Sequence, residues 1–259
     1  MDRKSPNGRV SYWIVTVQNT QLRKIDQRIE PPVAGIDLEQ ALNYVDLDVA
    51  GEEFLYEHYT GTRLPYVRGS RPLLEKIAGD VSGGIESRFG RVQALSRYVS
   101  EEIPWAGYYR KLTGNRLAAG RGMIEEDIIE SGYGWCMEQA RVLCGLTQVI
   151  GIPSRLVFAG NKVKQHGHVL IEAYLPEGWV GVDQSFNVCF LMDGKPVRAA
   201  ALRRDPEVRA HFDGIYLTHA SRLIEDLGRD LLTTDFRMIL ADHPIEGFDE
   251  IGICNHFIH

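Results

Sequence analysis

The chain has 259 residues, of which 44% are hydrophobic, 25% charged and 9% aromatic. That mix belongs to an ordinary globular protein and excludes a disordered chain, a collagen-like repeat and a disulfide-dense miniature scaffold. A net charge of −6, from 29 basic and 35 acidic residues, lacks the basic excess of a dedicated nucleic-acid binder.

Residues 10–17, a β-branched and aromatic run, predict a strand. Pro31, Pro32 and Gly35 break the chain after it. The spacing of Leu38, Ala41, Leu42, Val45, Val49, Phe54 and Leu55 predicts helix over 38–60, broken at Gly51. Residues 61–70 read as a linker. Ile85, Phe89, Val92, Leu95, Val99 and Ile103 step by three or four, giving an amphipathic helix that Pro104 stops. Residues 104–134 are rich in Gly and Tyr and read as a long irregular segment with a helical turn at 123–130. Residues 135–150 carry a wide apolar surface and predict a buried central helix, ended by Gly151 and Pro153. Strands are expected at 154–159, 168–175 and 179–183, the last two joined by a tight turn at Pro176–Gly178. Helices are expected again at 197–210, 218–228 and 234–240, followed by an irregular tail over 242–259. Helices followed by strands, without βαβ alternation, predict an α+β fold. The organisation expected is an N-terminal extension over 1–84, a core over 85–190 and a C-terminal helical extension over 191–259.

The cysteines stand at 136, 144, 189 and 254, with no Cys-x-x-Cys pair. Neither a zinc ribbon nor a thioredoxin motif can be drawn. No apolar leader follows the first ten residues, and no stretch approaches the roughly 20 apolar residues of a membrane span. The expectation is a cytosolic protein with reduced thiols, no cofactor, and neither nucleic acid nor membrane as partner.

Chemistry concentrates at Cys136, which starts the central helix, at His168, which opens a strand, and at Asp183, which closes the next. Across the turn at 176–178, His168 and Asp183 fall opposite one another, about 5 Å apart at Cβ. A helix start offers partial positive charge and free N–H groups to an anionic nucleophile. His168 can then act as base or as imidazolium partner, with Asp183 orienting the ring. His166, two residues before His168, is the competing base, but Gly167 after it places it in a loop. Cys144 lies deep in the apolar helix and reads as core. His166, His168 and a cysteine lack the fourth spaced ligand that a zinc site needs. Glu138 and Glu172 read as helix-face and strand-face carboxylates, and Trp179 as packing for the sheet.

Five segments in this order resemble the transglutaminase-like superfamily. They are the helix over 85–105 ending Glu-Ile-Pro-Trp, then Gly134-Trp135-Cys136-Met137-Glu138-Gln139-Ala140, Gly151-Ile152-Pro153-Ser154-Arg155, the strand led by His168, and Trp179-Val180-Gly181-Val182-Asp183. The resemblance covers residues 85–187 and implies a papain-like fold with Cys136, His168 and Asp183 as its catalytic triad. The chain departs from the family's pattern at His168-Val169-Leu170, where His-Ala-Trp is common, and at Asp183-Gln184-Ser185, where Asp-Pro-Thr or Asp-Pro-Ser is common.

The backbone N–H of Cys136 and a side chain from the preceding loop are the expected oxyanion donors. Trp105, Tyr108 and Tyr109 are candidates for that side chain or for the cleft, and Trp135 for a wall beside the nucleophile. The expected activity is attack of Cys136 on an amide or related acyl carbon of a peptide, protein or small molecule. The thioester formed is resolved by water, as in a peptidase or amidase, or by an amine, as in a transglutaminase or aminoacyl transferase. The alternative is a binding or scaffolding module that keeps the fold without the chemistry.

Overall fold

A computed structural model describes residues 9–16, 22–28, 41–45, 64–106, 123–161, 166–212, 214–215, 250–256 and 258. Strands β1 (Arg9–Thr16), β2 (Leu22–Arg28) and β3 (Ala41–Val45) form an antiparallel sheet in the order β2-β1-β3. The helix expected over 38–60 is therefore strand where it is described. Thr16 to Tyr12 of β1 pair with Ala41 to Val45, and this non-local ladder overrides the local helical spacing. Residues 46–60 lie outside the described residues.

Among the described residues four helices follow. Helix α1 (Pro72–Ser82) has Pro at its first turn, where a missing N–H costs nothing. It lies in the expected N-terminal extension, just past the stretch read as a linker. Helix α2 (Arg88–Glu102) starts three residues after the apolar stripe begins, because the Ser87 side chain accepts the Gly90 N–H at 3.0 Å and caps it. Its stripe buries Val92, Leu95 and Val99. Helix α3 (Glu125–Ser131) is the helical turn expected at 123–130, closed by Gly132 in the left-handed region at φ 69°. Helix α4 (Cys136–Val149) is the central helix, and Ala140, Val142, Leu143, Cys144 and Leu146 are all fully buried.

Helix α4 packs on an antiparallel sheet of order β10-β4-β5-β6-β7. Its strands are β4 (Ser154–Asn161), β5 (His166–Leu175), β6 (Gly178–Asp183), β7 (Val188–Cys189) and β10 (Glu250–Asn255). Between β7 and β10 lie the short pair β8 (Leu191–Met192) and β9 (Lys195–Pro196), then helix α5 (Ala199–Arg204). A further helical stretch occupies 206–212. The expectation of helix over 197–210 thus holds apart from the break at Asp205, whereas 218–228 and 234–240 lie outside the described residues. The tail expected to be irregular contains β10, which pairs along β4 from Asn255–Arg155 to Glu250–Gly160. Ile251 and Ile253 alternate with Gly252 and Cys254, but the partner that makes a strand of them lies about ninety residues earlier in the chain.

One hydrophobic core lies between sheet and helices. Leu74 of α1, Val99 of α2, Ile128 of α3 and Leu143 of α4 meet Ile171 and Val182 of the sheet there. Beneath the sheet, Arg155 donates from Nε and Nη2 to Glu172 Oε2 at 2.9 and 2.8 Å, with both side chains fully buried. Arg155 also lies over the Trp179 ring at 3.8 Å, and Glu172 Oε1 accepts the Ala199 N–H at 2.8 Å. Glu172 is thus a strand-face carboxylate that is buried as an ion-pair partner and ties β5 to β4 and to α5. Among the described residues, no helix is long and apolar enough to cross a membrane.

Candidate active site

Cys136 occupies the first helical position of α4, with Trp135 as N-cap in extended conformation. The Glu138 carboxylate reaches back to accept the Trp135 N–H at 3.1 Å, which closes the helix start. The first N–H groups of a helix have no intrahelical acceptor, so the Cys136 amide offers a donor beside the Cys136 thiol. Gly134 holds this start against the end of α2. It donates its N–H to Pro104 O at 3.2 Å and accepts the Ala106 N–H at 2.7 Å. A Cβ on Gly134 would sit 3.0 Å from Glu138 Cβ, which favours glycine.

That bridge brings Trp105 beside Gly134, and Trp105 meets Trp135 edge to face with centroids 5.2 Å apart. Two of the four aromatic candidates therefore flank the cysteine. Tyr108 and Tyr109 lie outside the described residues.

His168 stands in β5 opposite Ala159 of β4. Its Nε2 lies 2.8 Å from Asp183 Oδ2, with the imidazole 14% exposed and the carboxylate fully buried. The hairpin register is not the one expected. Val182 pairs with Ile171, so the ladder continued by one residue sets Asp183 opposite Leu170 and leaves His168 on its diagonal. The reason is the turn: Leu175 pairs with Gly178, so only Pro176 and Glu177 form the loop. Diagonal neighbours on one face are within reach of long side chains, and the His–Asp contact survives the shift. His166 is also in β5, paired with Asn161, and not in a loop, because β4 extends two residues past its expected end.

With Nε2 engaged by Asp183, Nδ1 is the ring nitrogen left for the Cys136 side chain, which hydrogen-bonds to His168. Burial pulls the imidazole's pKa down most strongly. The charge and hydrogen bond of Asp183, aided by Cys136, outweigh it and raise the value from 6.5 to about 10. Phe186 lies beside the ring with centroids 6.1 Å apart.

The residues after Asp183 tie these parts together. Ser185 donates its N–H to Asp183 Oδ1 at 3.0 Å and its hydroxyl to Gln139 Oε1 at 2.6 Å. Gln139 in turn donates from Nε2 to Ile103 O at 2.8 Å. Gln184 donates to Cys136 O at 3.1 Å and to Val169 O at 2.9 Å. Sequence reasoning noticed Gln184 and Ser185 only as a departure from a pattern and did not single out Gln139. Nothing in their spacing signals that they converge on the start of α4.

The structure therefore brings Cys136, His168 and Asp183 together, with Trp105 and Trp135 alongside. Of the other cysteines described, Cys144 is buried in the core, and burial pushes the Cys189 thiol up to about 12. Among the described residues no cluster of His, Cys, Asp and Glu is arranged to hold a metal ion.

Comparison with known proteins finds a family that these elements resemble. The model of the transglutaminase-like superfamily matches residues 75–184. The match opens in α1, ten residues before the boundary read from the sequence, and closes one residue after Asp183. Among solved structures, one similar to the chain is that of a proposed cysteine protease from Cytophaga hutchinsonii. It is 19% identical, covers 49% of this chain and 41% of that one, and has a TM-score of 0.38. The periplasmic domain of TgpA from Pseudomonas aeruginosa is 20% identical, with 50% and 46% covered and a TM-score of 0.38. A structure described as a TGase is 13% identical, with 57% and 40% covered and a TM-score of 0.36. The chain thus spans less than half the length of each of these structures. No curated protein matches the chain. Residues 75–184, from α1 to just past β6, are thus similar to the transglutaminase-like core, and they are built on an α+β plan.

Proposed function

We propose that the chain is a cysteine-dependent acyl-transfer enzyme with Cys136, His168 and Asp183 as its triad. The observation that carries the reading is the contact at 2.8 Å between His168 Nε2 and the buried Asp183 carboxylate, with the Cys136 side chain bonded to the same ring. In the proposed reaction Nδ1 of His168 takes the proton from the Cys136 thiol. The sulfur attacks the acyl carbon of an amide and forms a C–S bond, while the carbonyl π electrons move onto oxygen. The Cys136 N–H, together with a donor from the Trp105 side, stabilises that oxyanion. As the oxyanion collapses, the C–N bond breaks and the imidazolium gives its proton to the leaving amine. The resulting thioester passes its acyl group to water or to a second amine, with His168 serving again as base. Asp183 holds the ring with Nε2–H toward itself throughout and stabilises the imidazolium.

Both outcomes of the second half use the same residues, and the substrate is a peptide, protein or small-molecule acyl donor. The test is intact-mass spectrometry after incubation with a panel of activated peptide esters and amides. The expected result is one acyl adduct that maps to Cys136 and is absent from Cys136→Ala. An adduct of equal yield on Cys136→Ala would overturn the assignment.

A further inference from the structure

We infer that Gln184 is a positioning residue that sets the distance between the nucleophile and the base. The inference deepens the reading proposed above and rests on it. Gln184 directly follows Asp183 and is fully buried. Its single amide nitrogen donates to two carbonyls: that of Cys136 at 3.1 Å and that of Val169 at 2.9 Å. The first belongs to the nucleophile and the second to the residue after the base. One rigid amide group therefore joins the first turn of α4 to β5 at the level of the reacting side chains.

The identity of that nitrogen follows from its partners. Carbonyl oxygens only accept, so the end of Gln184 that meets both must be the NH2 group. Its two N–H bonds are used at once, one for each carbonyl. The other end, Oε1, is buried with no hydrogen-bond partner among the described residues. Leaving a buried amide oxygen without a partner costs stability. A residue selected for stability alone would avoid that cost, since an apolar side chain of equal size would leave no oxygen stranded. The placement makes sense if the amide is kept for what its nitrogen holds.

The neighbours support the same role. Asp183 holds the base, and Ser185 links Asp183 Oδ1 to Gln139 of α4. Three consecutive residues thus fix the base, the joint between base and nucleophile, and the second turn of the nucleophile's helix. Ser185 and Gln139 make a second hydrogen-bonded link between this end of the sheet and the start of α4. A displacement near 1 Å at a reacting group is enough to cost about 100-fold in rate.

The experiment measures the second-order rate of Cys136 alkylation by iodoacetamide from pH 5 to 10, by peptide mapping, in the full chain. Gln184→Met keeps the volume, removes both donor bonds and removes the stranded oxygen. It is expected to melt within a few degrees of the wild type yet to alkylate about 10- to 100-fold more slowly at neutral pH. Gln184→Glu places a carboxylate against two carbonyls at neutral pH and restores a donor when protonated. Its deficit relative to the wild type is therefore expected to shrink as the pH falls, a response that a merely structural role would not give. Alkylation of Gln184→Met within twofold of the wild type across the range would overturn the inference. If Gln184→Met does not fold, Gln184→Glu decides alone: a deficit that follows protonation supports the role, and a wild-type profile overturns it. Because alkylation needs no acyl substrate, failure to find an acyl adduct would sink the proposed reaction and leave this measurement readable.

Discussion

At the scale of residues, the contact between His168 Nε2 and Asp183 Oδ2 selects which ring nitrogen serves the thiol. Asp183→Asn keeps the shape but loses the charge that stabilises the imidazolium. Single-turnover acylation is expected to slow by about 10- to 1,000-fold, less than in serine triads because a thiol needs less help from its base. The pair also couples folding to pH. The His168 pKa is raised from 6.5 to about 10, so its contribution to stability is full below 6.5 and is lost as the pH rises through about 10. Thermal melts of wild type and Asp183→Asn are therefore expected to differ most in neutral and mildly acid buffer and to converge above pH 10. Iodoacetamide at neutral pH should label Cys136 before Cys144 or Cys189, because Cys144 is fully buried and burial pushes the Cys189 thiol up to about 12. Cys136 and Asp183 were legible in the sequence because they stand at the start of α4 and the end of β6, and His168 because it lies near the start of β5, two residues inside it. Gln139 and Ser185 were not legible, since their role depends on which carbonyl or carboxylate a fold brings near them.

At the scale of elements, β6 approaches the following chain so closely that its middle tolerates only glycine. Gly181 donates its N–H to Val197 O at 2.9 Å and accepts the Phe190 N–H at 2.8 Å. A Cβ there would overlap the Phe190 ring, which is fully buried and packed on Phe212 with centroids 4.7 Å apart. Gly181→Ala is expected to cost about 1–3 kcal/mol by overpacking, read as a lowered denaturation midpoint. Acylation should fall with it, because Asp183 is carried two residues further along the same strand. Helices α2 and α4 were legible because their apolar spacing runs over four turns. Strand β3 was misread as helix, because five residues carry too short a pattern to separate a period of two from one of 3.6.

At the scale of the whole molecule, a buried carboxylate joins parts of the chain far apart in sequence. Glu125 of α3 accepts from Arg71 Nη2 and Arg141 Nη2, both at 2.8 Å, and contacts His256 Nε2 at 3.0 Å. Arg71 also pairs with Glu126, and Gln148 of α4 donates to His256 O at 2.5 Å. Burial alone would raise the Glu125 pKa most strongly, but the hydrogen bonds and charges of His256, Arg141 and Arg71 hold it well below the ordinary value of 4.5. Its contribution to stability is therefore full above 4.5 and is lost as the pH falls below that value. Glu125→Gln leaves two guanidinium groups without their shared charge and is expected to destabilise by about 3 kcal/mol at neutral pH. Chemical denaturation of the variant should show a smaller loss of stability on acidification than the wild type. An equal loss in both would mean that other carboxylates govern the acid limb.

The sequence by itself determined the local elements of the core and their order. Apolar spacing, a capping serine, and Gly or Pro at element ends act between residues a few positions apart. It also determined which thiol, imidazole and carboxylate stand at or near the ends of those elements. Only the tertiary structure decided the register that sets Asp183 diagonal to His168, the pairing of β10 with β4, and the buried partners of Glu172 and Glu125. Each of these is a contact across tens of residues. Whether a carboxylate there is solvated, paired or catalytic depends on which distant groups the packed core brings within hydrogen-bonding reach.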